Sequence, residues 1–339
     1  KSLKVLGINL IFFLFLILIL EFFFKLFLPQ NLQGKMTVLT DFGFANKSYG
    51  SSIHFFNDIK VRYNYSYPHL RKSFFDESKE NILILGDSFT FGYLLNIENT
   101  FVRKIENCFL QKYNFLNAAT GGYGLSNNVG YSEKYVSELN PKKIVYFLNT
   151  TDIGRSYLNK LYTYENNKLV LNKFSQDNKK SFKKFISNIP FYEYLIENSH
   201  FFQFIRKQLH SKILIENKNI VNLTNKMIID ADILGQSLFL KLNSIAKDNE
   251  SKLIVVSIGF DRFSSWTKLQ EKLSKKFYID KENFFSSNMI SFMDLGDDLV
   301  EQSENNLKNI TIKDDGHPNI KGASIIGKLA CKKLKDVIN

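Results

Sequence analysis

The sequence predicts an α/β fold with a parallel sheet covered on both faces, preceded by one transmembrane helix. Three observations carry that expectation. Residues 5–28 form an apolar run interrupted only by Asn9, Glu21 and Lys25, long enough to cross a bilayer as a helix. Short continuous apolar runs, of which Ile82-Leu83-Ile84-Leu85 is the clearest, have the pattern of strands buried on both faces. Helix-period stretches separate these runs, and strand–helix alternation implies crossovers that return each strand parallel to the last.

Taken in order, the N-terminal run reads as an uncleaved anchor over residues 1–29. The segment Phe27-Leu28-Pro29-Gln30-Asn31 lacks the small-residue cleavage site of a secretory signal. Lys1 and Lys4 precede the run while Lys25 and Lys35 follow it, so the charges flanking it are nearly balanced. The general behaviour of N-terminal anchors places the bulk of the chain outside the cytoplasm. Residues 30–79 mix Gly, Ser, Asn, Tyr and Pro without sustained periodicity and read as a stem and irregular lead-in. The main domain is expected over residues 80–339. Its strands fall at about 82–85, 114–118, 144–148, 253–258 and 290–295, and its helices at about 98–112, 127–139, 229–246 and 321–337. Residues 154–225 exceed what one crossover needs and are expected to form a mostly helical insertion facing the substrate.

Composition narrows the function. The formal charge of +12 suits an anionic partner, but the lysines are scattered, with short clusters only at residues 179–184 and 272–276. No basic helix or RNA-type aromatic motif accompanies them, so nucleic acid is not an expected partner. Cys108 and Cys331 are the two cysteines, too few for a disulfide framework or a metal cage. Cys108 falls on the apolar face of a helical pattern with Phe101, Ile105 and Phe109 and is expected to be buried; a single bridge stays open outside the cytoplasm. There is no Walker loop, His-Glu-x-x-His or Cys-x-x-Cys, and Gly122-Tyr123-Gly124 lacks the third glycine of a dinucleotide loop. No cofactor or metal is expected.

The chemistry concentrates at Gly86-Asp87-Ser88, where a buried strand gives way to a helix at the carboxyl edge of a parallel sheet, the place where open α/β folds bind ligands. A serine there acts as a nucleophile only if a histidine, oriented by a carboxylate, takes its proton. Two histidines have a carboxylate three residues before them, Glu197/His200 and Asp314/His317, and spacing alone does not choose between them. Glu197/His200 lies in a helix-like apolar stretch, residues 191–209, where such a pair is most often a surface contact. Asp314-Asp315-Gly316-His317-Pro318-Asn319 lies in a turn-rich loop before the last helix. There Asp314 is expected to face one imidazole nitrogen while the other points at Ser88.

The residues 86–92 together with the terminal Asp-x-x-His resemble the first and last motifs of the SGNH (GDSL-type) hydrolases, and the resemblance spans roughly residues 80–337. It implies a flavodoxin-like three-layer sandwich and ester chemistry by a Ser88–His317–Asp314 triad. Asn117-Ala118-Ala119-Thr120-Gly121-Gly122-Tyr123-Gly124 is similar to the second motif and implies that the Gly122 N–H joins the Ser88 N–H in the oxyanion hole. In the third motif Thr151 stands where the family has its oxyanion Asn, with Asn149 two residues earlier as the alternative donor. The expected activity is hydrolysis of O-acyl esters, chiefly O-acetyl, on an envelope glycan or glycoconjugate. Transfer of the acyl group to a sugar hydroxyl would use the same residues. A catalytically retired domain that binds glycan or acts as a scaffold is the reading from a different class.

Overall fold

The computed structural model describes residues 2–72, 75–109, 112–172, 191–216 and 223–338. They fall into two compact units, one from Lys1–Met36, Ser52–Arg62 and Ser175–Val221, the other from Thr37–Ser51, Tyr63–Phe174 and Asn222–Asn339.

The smaller unit holds the apolar helix α1 (Ser2–Phe27) and the short strand β1 (Leu32–Gln33). Within α1, Lys4–Phe27 contains an 18-residue stretch with a mean hydropathy of 2.7 and is long enough to cross a membrane, a test that a signal sequence passes as well. In the chain that follows, strands β2 (Thr37–Thr40) and β3 (Gly43–Asn46) form a hairpin of the larger unit. Next come β4 (Ser51–Phe56), β5 (Ile59–Ser66) and β6 (Leu70–Arg71). The lead-in is therefore strand-rich rather than irregular. In β5 the residues Val61, Tyr63 and Tyr65 are buried while Lys60, Arg62 and Asn64 are exposed, the two-residue alternation of a strand with one face inward.

The larger unit is built on β7 (Glu80–Leu85), β8 (Tyr113–Asn117), β9 (Pro141–Leu148), β12 (Lys252–Ser257) and β13 (Ser291–Asp294). Their spatial order is β8-β7-β9-β12-β13, and every neighbouring pair is parallel. In chain order this is 2-1-3-4-5, the flavodoxin-like arrangement. Because alternate residues point to opposite faces, the buried runs feed two cores. Leu83, Leu85, Ile144, Tyr146, Leu148 and Val255 face one, and Ile82, Ile84, Val145, Phe147, Ile254 and Val256 the other. Helices α4 (Leu125–Leu139), α8 (Asn225–Asp248) and α9 (Leu269–Ser287) cover the first face, and α3 (Phe101–Cys108) and α12 (Ile320–Ile338) the second. The result is a three-layer α/β sandwich.

The expected insertion contains helix α5 (Asp152–Asn159), the hairpin β10 (Tyr162–Glu165) and β11 (Lys168–Leu171), and helices α6 (Tyr192–Asn198) and α7 (His200–Glu216). A hairpin thus replaces part of the predicted helix, and the lysine cluster at residues 179–184 lies outside the described residues. A cavity of about 460 Å³ on α9, lined by Trp266 and Lys275 among others, contains neither Ser88 nor His317. Its Lys281 ammonium is paired with Asp261 and Asp294.

Cys108 is exposed at the end of α3, contrary to expectation, and bonds to Cys331 on α12. The bridge closes a separation of 223 residues between two helices on the same sheet face. Constraining so long a segment of the unfolded chain contributes about 3–5 kcal/mol. Reduction, or Cys108→Ser, is expected to lower Tm by about 10 °C in thermal unfolding. An unchanged Tm would contradict a stabilising bridge.

Candidate active site

The site sits at the carboxyl ends of β7 and β9. After Leu85, Gly86 takes φ +154°, and a Cβ there would lie 2.3 Å from Thr90 Oγ1, so the turn accepts only glycine without rearrangement. Asp87 caps the one-turn helix α2 (Ser88–Phe91) by accepting from the Phe89 N–H at 2.9 Å. That turn places Ser88, 7% exposed, at the helix start. Ser88 Oγ lies 2.7 Å from His317 Nε2.

The histidine comes from a tight loop. Thr311 bridges Pro318, and the Ile312 N–H donates to the His317 carbonyl at 2.8 Å. Within it Asp314 has φ +63° and Gly316 φ +90°. These two left-handed residues reverse the chain so that the side chain two positions before His317, not three, returns to it. Asp315 Oδ1 lies 2.5 Å from His317 Nδ1 and also accepts from the His317 N–H at 3.2 Å. Asp314 points to solvent. The carboxylate at His317 is Asp315, which corrects the sequence expectation of Asp314. Burial raises the Asp315 carboxyl, but the His317 side-chain hydrogen bond, charge and backbone N–H together outweigh it and hold it below the usual carboxylate range. Phe89 and Tyr93 flank the imidazole, with ring centroids 5.1 and 4.9 Å from it. Burial, with the nearby Asp315 charge, pushes the Tyr93 phenol up to about 12.

The second motif lies beside Ser88. The Thr120 N–H reaches the Gly86 carbonyl at 3.4 Å, and a Cβ on Gly121 would stand 3.9 Å from Ser88 Cβ. Gly122 follows with φ +83°. In the third motif Asn149 is hydrogen-bonded through both ends of its amide. Its Nδ2 donates to Asp87 Oδ2 at 2.9 Å, and its Oδ1 accepts from the Thr150 N–H at 2.8 Å. The Thr151 hydroxyl is buried and has no hydrogen-bond partner among the described residues.

Helix α5 braces the arrangement through one polar face. Arg155 Nη1 donates to Asp87 Oδ2 at 3.0 Å and to the Tyr123 carbonyl at 3.1 Å, joining the Ser88 turn to the Gly122 turn. Ser156 Oγ accepts from the Ser126 N–H, and Asn159 bonds Ser126 and Asn127. Residues 152, 155, 156 and 159 recur at the three- and four-residue spacing of one helix face. Asp152 accepts from the Tyr146 hydroxyl at 2.8 Å and the Asn149 N–H at 2.9 Å. Burial, reinforced by the charge of Asp87, pushes its carboxyl well above the usual range. Sequence reading assigned no role to Asp87, Arg155 or Asp315. The three-residue step from Asp152 to Arg155 and the polar spacing of α5 were the available signals.

Glu197 and His200 do not pair. They lie on separate helices of the smaller unit, α6 and α7, where Glu197 Oε1 accepts from the Ile53 N–H and His200 Nδ1 from the Gln30 N–H.

No protein-family model matches the chain, and no curated protein does. Solved structures do. A lipolytic protein of the G-D-S-L family from Veillonella parvula is 12% identical, with 76% of this chain and 100% of that one covered and a TM-score of 0.43. An acetyl xylan esterase is 13% identical over 75% of this chain and 99% of that one, with a TM-score of 0.44. The psychrotrophic esterase EstA from a Pseudoalteromonas species is 11% identical over 77% and 100%, with a TM-score of 0.43. At these values the likeness lends no weight to a function, which rests on the site itself.

Proposed function

We propose that the protein is a serine esterase that removes short O-acyl groups, chiefly acetyl, from a glycan or glycoconjugate outside the cytoplasm. The hydrogen-bond chain Ser88–His317–Asp315 carries this reading. Ser88 Oγ attacks the acyl carbon while its proton passes to His317 Nε2, and Asp315, ionised at neutral pH, accepts from Nδ1–H. The oxyanion of the tetrahedral intermediate is held by the Ser88 and Gly122 N–H groups and the Thr151 hydroxyl. The alcohol leaves with the proton from His317; water then adds to the acyl-enzyme by the same relay and releases the acid.

The low exposure of Ser88 and the rings of Phe89 and Tyr93 against His317 favour a short acyl group. The Cys108–Cys331 bridge favours an oxidising compartment, and α1, long and apolar enough to cross a membrane, is compatible with attachment there. Turnover of p-nitrophenyl acetate well above that of the octanoate, with acetate released from an O-acetylated glycan, is the expected result. Inertness toward both esters would overturn the reading. Partition of the acyl group onto added sugar alcohols instead of water would reassign it to acyl transfer. Thr151→Val, which keeps shape and deletes the free hydroxyl, is expected to lower kcat about 10²-fold while Thr151→Ser keeps most of it. An unaltered kcat in Thr151→Val would remove Thr151 from the oxyanion hole.

A further inference from the structure

Glu21 is the acidic residue of the apolar run, and it is placed six residues before the end of α1, about 9 Å along the axis. A carboxylate at that depth is costly unless its oxygens are satisfied. They are satisfied by the start of a second helix. Oε1 accepts from the His200 N–H at 2.8 Å, and Oε2 from the Phe201 N–H at 3.1 Å and Ser199 Oγ at 2.6 Å. The two N–H groups are orphan donors of the first turn of α7, and negative charge there also suits the helix dipole. Apolar packing continues the junction, because Phe24, 8% exposed, meets the rings of Phe201 and Phe204 at 5.5 and 4.6 Å. Between Leu10 and Phe27 the partly or fully buried positions of α1 are Ile17, Leu20, Glu21 and Phe24, one helix face; the remaining apolar residues of that stretch are exposed.

We infer that α7 and the residues leading into it are a second membrane element, an interfacial helix on an anionic bilayer, clasped to the anchor by Glu21. The inference rests on reading α1 as a membrane span. Given that span, a helix whose first turn is bonded about 9 Å inside its end starts at the boundary between headgroups and acyl chains. The exposed side chains suit that boundary. Phe191 and Tyr194 are 80% and 65% exposed, as interfacial aromatics are, and Ile205 and Leu209 add apolar surface. Arg206 and Lys207, exposed between them, match the charge of anionic headgroups.

The test uses the full chain in vesicles of equimolar phosphatidylcholine and phosphatidylglycerol. An environment-sensitive fluorophore is attached singly at Leu14→Cys, Ile205→Cys or Leu209→Cys, with the native disulfide intact. Labels at 205 and 209 are expected to lose most of their emission to lipids brominated near the glycerol end of the acyl chains, and little to aqueous iodide. The label at 14 is expected to be quenched by lipids brominated deeper in the chain. Iodide quenching at 205 and 209 with lipid quenching kept at 14 would overturn the interfacial helix and leave the anchor standing. Iodide quenching at 14 would overturn the span and the inference together. Glu21→Leu, which keeps α1 apolar, is expected to move the label at 205 toward iodide, and unchanged quenching would overturn the clasp.

Discussion

Ser88→Ala is expected to lower ester turnover by about 10⁶-fold, because it removes the atom that forms the acyl-enzyme and leaves only binding and the oxyanion donors. The variant keeps the fold. Ser88 Oγ bonds His317, whereas the turn that holds it depends on Gly86, on the Asp87 cap and on the Arg155 clamp, all of which remain. Thermal unfolding is therefore expected to stay within a few degrees of the parent while p-nitrophenyl acetate turnover disappears. Retained turnover in a folded Ser88→Ala protein would mean that another nucleophile serves the reaction.

The second large effect separates two adjacent carboxylates. Asp315→Asn is expected to lower kcat about 10⁴-fold with KM little changed, since an amide beside Nδ1 favours the wrong imidazole tautomer and cannot stabilise the imidazolium. Asp314→Asn is expected to stay within about twofold, the usual fate of an exposed side chain that touches neither reactant nor base. Steady-state kinetics on the two variants decide the point. A collapse in Asp314→Asn with normal Asp315→Asn would restore the three-residue spacing and contradict the loop geometry.

That pair of residues also marks where sequence stops short. Ser88 and His317 were legible because a buried strand ending in Gly-Asp-Ser and a turn-rich Asp-Asp-Gly-His each have a local pattern. The choice between Asp314 and Asp315 depended on backbone sign. Positive φ at Asp314 and Gly316 converts an i, i+3 expectation into an i, i+2 contact. The parallel strands were legible for the same local reason, since runs such as Ile82 to Leu85 are apolar on both faces. The strand Ile59–Ser66 was missed because its inward positions are Val61, Tyr63 and Tyr65, and tyrosine blurs the alternation. Contacts made across long separations left no local trace. Asn149 bonds Asp87, 62 positions away, the Thr151 hydroxyl has no hydrogen-bond partner among the described residues, and Cys108 meets Cys331 across 223. Arg155, which ties the Ser88 and Gly122 turns together, reads in sequence as an ordinary helix cation.

Covalent labelling tests the central claim most directly. A fluorophosphonate ester is attacked only by a serine whose proton a neighbouring base removes. The folded protein is expected to take up one phosphonyl group, mapped by peptide mass spectrometry to Ser88, with the modification lost in Ser88→Ala and strongly slowed in Asp315→Asn. Failure to label Ser88 in folded protein, or labelling at a different serine, would contradict the assignment of this site as a serine esterase.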